Sequence, residues 1–300
     1  MEPYKEPNIE LAKPRDFGEI VADTFGFIRQ NFKSLVKNFF VFCGFFMIAG
    51  ILATTLSQYK IMSLQNEIMR QGPTTFSGLS NMWLSLVGLF IFGVLGYCAN
   101  ITIVTCFVSL YKHKGSIAPS TEEVWAYFKY YFLRTILAAF VTWVLLGIGF
   151  ILCLAPGIWL FPIFGLIFPI MIIENGSFSF AFSRAFSLIS NNWWVTAGSV
   201  FVLWLIAYIM MAVVSIPAQA VNVLQAILKP GQAMPQLSLV TIILSAVLQQ
   251  FLQILLMIPT IGFCLCYFNL AETKEGTSLL DRINKFGEHN TQPDQPTEEY

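Results

Sequence analysis

The sequence predicts an all-α, polytopic integral membrane bundle of six transmembrane helices, and three observations carry that prediction. Apolar residues make up 56% of the 300 residues and charged residues only 11%, where a soluble domain carries roughly a quarter charged. The apolar residues gather into six stretches, each long enough to cross a bilayer. Ahead of three of these stretches stands a similar aromatic-rich unit, at residues 25–32, 125–132 and 186–193. In each unit two aromatic residues lie seven positions apart, which is two helical turns and therefore one face. The expected architecture is a three-fold internal repeat of a cytoplasmic interfacial helix feeding into membrane spans.

Windows of about 19 residues place the spans near 39–56, 82–110, 132–154, 157–173, 193–216 and 239–268. With a rise of about 1.5 Å per residue, roughly 20 residues cross a 30 Å hydrocarbon core. The second and sixth spans exceed that length and are expected to tilt or protrude. The fourth is short and contains Pro162 and Pro169; prolines kink a helix, which is tolerated where other helices surround it. Pro156-Gly157 reads as a tight reversal that makes spans three and four a hairpin. Residues 1–37 are polar and of mixed charge, so the first span is expected to be an uncleaved anchor. Residues 1–14 are expected to form a flexible tail, 15–270 the membrane domain, and 271–300 a disordered cytoplasmic tail.

Orientation follows from the basic residues. A cytoplasmic N-terminus places 14 of the 17 Lys and Arg residues on the cytoplasmic side and only Lys60, Arg70 and Lys229 on the other. That asymmetry predicts both termini inside. The short loops favour a bacterial inner membrane.

Helix starts are legible as capping boxes. Asp16-x-x-Glu19 and Ser120-x-x-Glu123 each pair an N-cap side chain with a carboxylate three residues on. The third amphipathic segment, 178–189, leads into the third unit and has Arg184 as its single charge. Such aromatic segments are expected to lie in the headgroup plane and to anchor the following spans. A further amphipathic stretch, 218–228, is expected on the far side and is closed by Pro230-Gly231.

Chemistry is sparse. The net charge is zero, which gives no bias toward nucleic acid. Six cysteines fall inside apolar stretches and the two histidines lie apart, so neither disulfides nor metal sites are indicated and no cofactor is expected. Catalysis within a bilayer ordinarily needs ionisable groups inside the spans, and none lies well inside one here. No catalytic residue is assigned and an enzyme is not expected.

Two constellations remain. Glu174 closes span four and Arg184 follows on the third interfacial helix. The pair reads as a salt bridge, or as a guanidinium aimed at lipid phosphate. With Trp125, Trp193 and Trp194 it makes a cytoplasmic collar for lipid headgroups or a membrane protein partner. The alternative is a polar path of Asn100, Gln249 and Gln253, the glutamines sharing a helix face; spans two, four and six would then line a small transporter. The same groups serve equally as interhelical glue.

Residues 156–194 resemble a broad bacterial membrane family, which includes the membrane domain attached to some glycerophosphodiester phosphodiesterases and six-span proteins of the UPF0259 kind. The resemblance rests on Pro156-Gly157, Trp159, Pro169, Glu174, Arg184-Ala185, Leu188 and Asn191-Asn192-Trp193-Trp194, with Phe17-Gly-Glu-Ile20 to Asn31-Phe32 resembling the family's opening helix. It spans most of residues 15–270 and implies a six-span fold in a membrane. The soluble phosphodiesterase domain has no counterpart here, so the resemblance implies no hydrolase activity.

Overall fold

The computed structural model describes the backbone of residues 9–71, 76–152, 154–228 and 239–276, and the side chains of 9–64, 83–151, 155–217, 220 and 239–276. These residues fold as α1 (Phe17–Gln71), α2 (Phe76–His113), α3 (Thr121–Leu152), α4 (Leu154–Ile173), α5 (Phe178–Ile189), α6 (Trp193–Leu228), α7 (Leu239–Leu252), a 3₁₀ turn (Gln253–Leu256) and α8 (Met257–Glu275). Six helical stretches are long and apolar enough to cross a membrane, with α7, the 3₁₀ turn and α8 together forming the sixth. The fold is the all-α polytopic bundle that hydropathy predicts.

Both capping boxes form reciprocally. Glu19 N–H donates to Asp16 Oδ1 at 2.8 Å and Asp16 N–H to Glu19 Oε2 at 3.0 Å. Glu123 N–H donates to Ser120 Oγ at 3.3 Å while Ser120 N–H donates to Glu123 Oε2 at 2.8 Å. Each box satisfies two helix-terminal donors and so fixes where α1 and α3 begin.

The start of α1, the α2–α3 connection, α5 and the end of α8 share one face of the bundle, the basal face. Contacts across it include Arg15 N–H donating to Asn269 Oδ1 at 2.7 Å and Lys114 Nζ paired with Glu123 at 2.7 Å. Packing is densest toward this face. Every residue of α2 from Cys98 to Tyr111 is buried, and α8 is buried from Met257 to Leu270. α8 touches α1, α2, α4, α5 and α6 and forms the axis of the bundle. Farther from the base the helices present Phe45, Ile48, Leu52, Phe140 and Ile151 outward, a surface suited to lipid chains. α4 meets α8 closely at Gly165, where a Cβ would collide with the Phe263 ring; small residues let membrane helices approach in this way.

The structure revises several local expectations. The first two aromatic units are not separate in-plane helices, because each is the opening of one unbroken helix, α1 or α3. Only the third amphipathic segment is a distinct helix, α5, and the third unit straddles its end and the break to α6 at Ser190–Asn192. Pro156-Gly157 lies within the first turn of α4 rather than at a reversal, where the missing proline donor costs nothing. The sixth span is interrupted at Gln253–Leu256. Pro259 explains this, since its ring opposes a helical bond to the Leu255 carbonyl yet fits the first turn of a new helix. α6 continues through Pro217 to Leu228. The side chains of 221–228, with Pro230-Gly231 and the C-terminal tail beyond 276, lie outside the described residues.

The membrane body also reaches past the boundaries drawn from hydropathy. Residues 9–14 dock on α1, with Ile9 N–H donating to Gln30 Oε1 at 3.1 Å and Leu11 buried. Arg15 is buried and gathers this segment: Nη1 donates to Leu11 O at 2.6 Å, Nε donates to Asp23 Oδ2 at 2.8 Å, and Nη2 donates to Glu10 O. At the other end α8 runs on to Glu275, where Gly276 in the left-handed region (φ 60°) closes it.

Candidate functional site

Glu174 and Arg184 do meet at the basal face. α4 ends at Ile173, Asn175 takes the left-handed conformation (φ 50°), and Ser177 caps α5 by accepting from Phe180 N–H. Asparagine tolerates that backbone better than most residues, so the Glu-Asn-Gly sequence turns the chain within three residues and brings α5 back over α4. Arg184 Nε then donates to Glu174 Oε1 at 3.2 Å. The Tyr267 hydroxyl of α8 donates to the same oxygen at 2.8 Å, and Arg184 Nη2 pairs with Glu275. Both side chains of the Glu174–Arg184 pair are about four-fifths buried (19% and 22% exposed).

Burial works against the Arg184 charge, but the two carboxylates outweigh it and push its pKa above the ordinary value. One guanidinium between two carboxylates leaves a formal charge of −1 on this cluster. An incoming phosphate meets net repulsion there. Arg184 therefore acts as an internal clasp joining the end of α4, α5 and α8.

The aromatic residues of the collar divide in the same way. Phe178, Phe182 and Phe186 stack along α5 and against Phe164 and Trp159. Trp193 donates its indole N–H to the Trp159 carbonyl at 3.1 Å. These residues lock α5 onto α4. Trp194 is 82% exposed and is the one of the pair that faces outward.

Trp125 leads to a different kind of site. It stacks on Phe42 of α1 (5.4 Å, 3° between planes) and on Phe128 (5.7 Å), and Phe128 stacks on Phe132. This aromatic wall borders a groove of about 810 Å³ between α1 and α3, with Val41, Phe45 and Leu133 in its apolar part and Thr121, Glu122 and Lys129 at its polar part. Lys129 Nζ lies 5.4 Å from the Trp125 ring centre. One turn further along α3, the Arg134 guanidinium lies 4.4 Å over the Tyr130 ring. It opens on a second groove, of about 520 Å³, against Met171 and the Asn175–Phe178 turn. The base of α3 thus carries two cations, each seated on an aromatic face four residues earlier, each beside an apolar groove.

No protein-family model, curated protein or solved structure matches this chain. The reading of the site rests on its own geometry.

The polar-path residues are only partly brought together. Asn100 Nδ2 donates to the Gln253 backbone carbonyl at 3.1 Å. Gln249 is exposed and Gln250 is the buried glutamine, its Oε1 accepting from Gln253 Nε2 at 2.7 Å. Residues three apart share a helix face as residues four apart do, and here Gln253 meets Gln250 rather than Gln249. Gln250 also lies against Gly50 of α1, where a Cβ would stand 2.7 Å from its amide. Span four contributes no polar side chain to this cluster, since α4 is apolar throughout.

Sequence reasoning missed Arg15, Tyr267, Glu275 and the pairing of the two α3 cations with aromatic rings. For Lys129 and Arg134 a signal existed: each follows an aromatic residue by four positions. For Tyr267 none did, because its partner Glu174 lies 93 residues away.

Proposed function

We propose that this six-span protein is a non-enzymatic membrane component, an accessory or lipid-organising protein of the bacterial inner membrane, with both described ends cytoplasmic. The observation that carries the reading is the pair of cation-on-aromatic grooves at the base of α3, Lys129 over Trp125 and Arg134 over Tyr130. Each groove is amphipathic: a cation seated on an aromatic ring at the polar end, then apolar walls that a lipid chain can follow. An anionic phospholipid complements both ends, its phosphate at the cation and its chain among Phe45, Phe132 and Leu133 or beside Leu137 and Val141. Long basic side chains at a membrane interface serve such headgroups. The resemblance to the six-span family agrees with a membrane location, and a membrane protein partner at the same collar remains part of the proposal.

The test compares phospholipid retention in nanodiscs of phosphatidylglycerol and phosphatidylcholine by native mass spectrometry. Lys129→Ala and Arg134→Ala are each expected to lower phosphatidylglycerol retention about fivefold, roughly 1 kcal/mol, with phosphatidylcholine little changed. Arg184→Ala is expected to leave retention within about twofold, because its charge is already matched. Equal retention of phosphatidylglycerol by wild type and the Lys129→Ala, Arg134→Ala double variant would end the proposal.

A further inference from the structure

The groove between α1 and α3 has a basic mouth. Lys33, Lys37, Val41 and Phe45 follow one another at four-residue intervals along α1, which sets them on one ridge of the helix with about 6 Å of rise between neighbours. Val41 and Phe45 line the groove, and the ridge continues past them toward the base as two ammonium groups. Phe42 stacks on Trp125, and Phe46 meets Phe132. The two helices therefore rise side by side from the base, and Lys37 comes level with the first turn of α3. Lys129 stands across the groove with its ammonium by the Trp125 ring.

Lys33, Lys37 and Lys129 are all exposed, and among the described residues no carboxylate pairs with any of them. The groove is lined by a single acid, Glu122. Its neighbour Glu123 is taken up by Lys114 and the capping box. Three ammoniums and one carboxylate leave a formal charge of +2 around this mouth. Above it the walls are open to the bilayer, with Phe45, Ile48 and Leu52 of α1 and Leu133 and Phe140 of α3 exposed. Acyl chains thus have an apolar course on both helices.

We infer that this groove selects a phospholipid carrying two phosphodiesters on one headgroup, the cardiolipin class. The inference rests on the reading of the groove as a lipid site and names the lipid. One phosphodiester cancels half of the charge at the mouth, and two cancel all of it. Phosphates joined through one glycerol stand roughly one helical turn apart, the interval between Lys33 and Lys37. One phosphate meets Lys37 and Lys129 while the other meets Lys33. The second contact is then intramolecular, which favours the linked pair over two separate monophosphate lipids. Basic pockets between transmembrane helices on the cytoplasmic side are the general setting for such headgroups. The Arg134 groove is lined by one cation and no acid, so it suits a single phosphodiester.

The test is native mass spectrometry of the full chain from nanodiscs, with cardiolipin and phosphatidylglycerol supplied at equal total phosphate in phosphatidylcholine. Wild type is expected to retain cardiolipin about fivefold over phosphatidylglycerol per phosphate. The Lys33→Ala, Lys37→Ala double variant is expected to lower cardiolipin retention about tenfold. Its phosphatidylglycerol retention is expected to stay within about twofold, since Lys129 and Arg134 remain. The Lys33→Arg, Lys37→Arg double variant is expected to keep the cardiolipin preference. Both lysines are exposed, so an unchanged thermal midpoint in detergent is expected and separates lost binding from lost folding. Equal retention per phosphate by wild type, or equal losses of both lipids in the alanine variant, would mean a general attraction of basic residues to an anionic surface. Either result would overturn the inference and leave the anionic-lipid reading of the grooves standing. Retention of neither lipid above phosphatidylcholine would end both.

Discussion

At Arg184 a single guanidinium holds two carboxylates from different helices, and the consequences of removing either partner differ. Arg184→Ala leaves Glu174 and Glu275 facing one another without a counter-ion. We expect a loss of about 1–3 kcal/mol, measured as a lower thermal midpoint in detergent. Glu174→Gln is expected to cost less, because the amide oxygen still accepts from the Tyr267 hydroxyl, which now donates to Glu174 at 2.8 Å. A Tyr267→Phe variant with an unchanged thermal midpoint would show that the tyrosine bond contributes nothing. The Glu174–Arg184 half of this cluster was legible in the chain, since ten residues and one Asn-Gly turn separate the two side chains. Tyr267 and Glu275 were not, because hydropathy fixes that a helix crosses the membrane but not which way it is rotated. The same limit explains why Gln249 was named for the position that Gln250 fills: one residue is a rotation of about 100°.

Among the elements, the contact of α4 with α8 is set by what Gly165 lacks. Gly165→Ala places a methyl group against the Phe263 ring, and over-packing of this kind costs about 1–3 kcal/mol. Phe263→Ala in the same chain is expected to recover much of that loss, so a double-mutant cycle should report a coupling of about 1 kcal/mol or more. Strict additivity of the two changes would mean that the helices part rather than clash. Element existence was read well from the sequence, since long uncharged stretches admit few alternatives. Element ends were read less well wherever proline was involved. Pro156 marked a helix start where a reversal was expected, and Pro259 broke a span that the apolar pattern presents as continuous. In both cases composition records the proline, while neighbouring helices decide whether it turns, kinks or restarts the chain.

For the whole molecule, the arrangement of helices places Ala118 and Ser190 on the basal face and Ser63 toward the opposite end of α1. The five described cysteines are all buried, so with Cys153 replaced by serine, single cysteines introduced at these positions report sidedness against a quiet background. We expect Ala118→Cys and Ser190→Cys to react with a membrane-impermeant maleimide only after the cytoplasmic side is opened, and Ser63→Cys to react in intact cells. The reverse pattern would invert the orientation drawn from the basic residues. Three aromatic units were visible in the sequence as a repeat, yet their roles in the assembled bundle diverge. Two are the first turns of long helices, and the third folds back as a clamp. Repetition of pattern survived at the level of residue spacing and not at the level of contacts.

The position of α8 has a further consequence in time. Translation delivers α1 through α6 before the helix that all but α3 among them touch, or reach through α5, has left the ribosome. Until Met257–Glu275 arrives, the hydroxyl of Tyr267, the side chain of Asn269 and the Glu275 carboxylate are missing. The contacts that tie the basal face together, Tyr267 to Glu174 and Asn269 to Arg15, are therefore the last that synthesis can supply. A ribosome halted inside α7 is expected to leave Glu174 without its tyrosine donor and Arg184 without its second carboxylate.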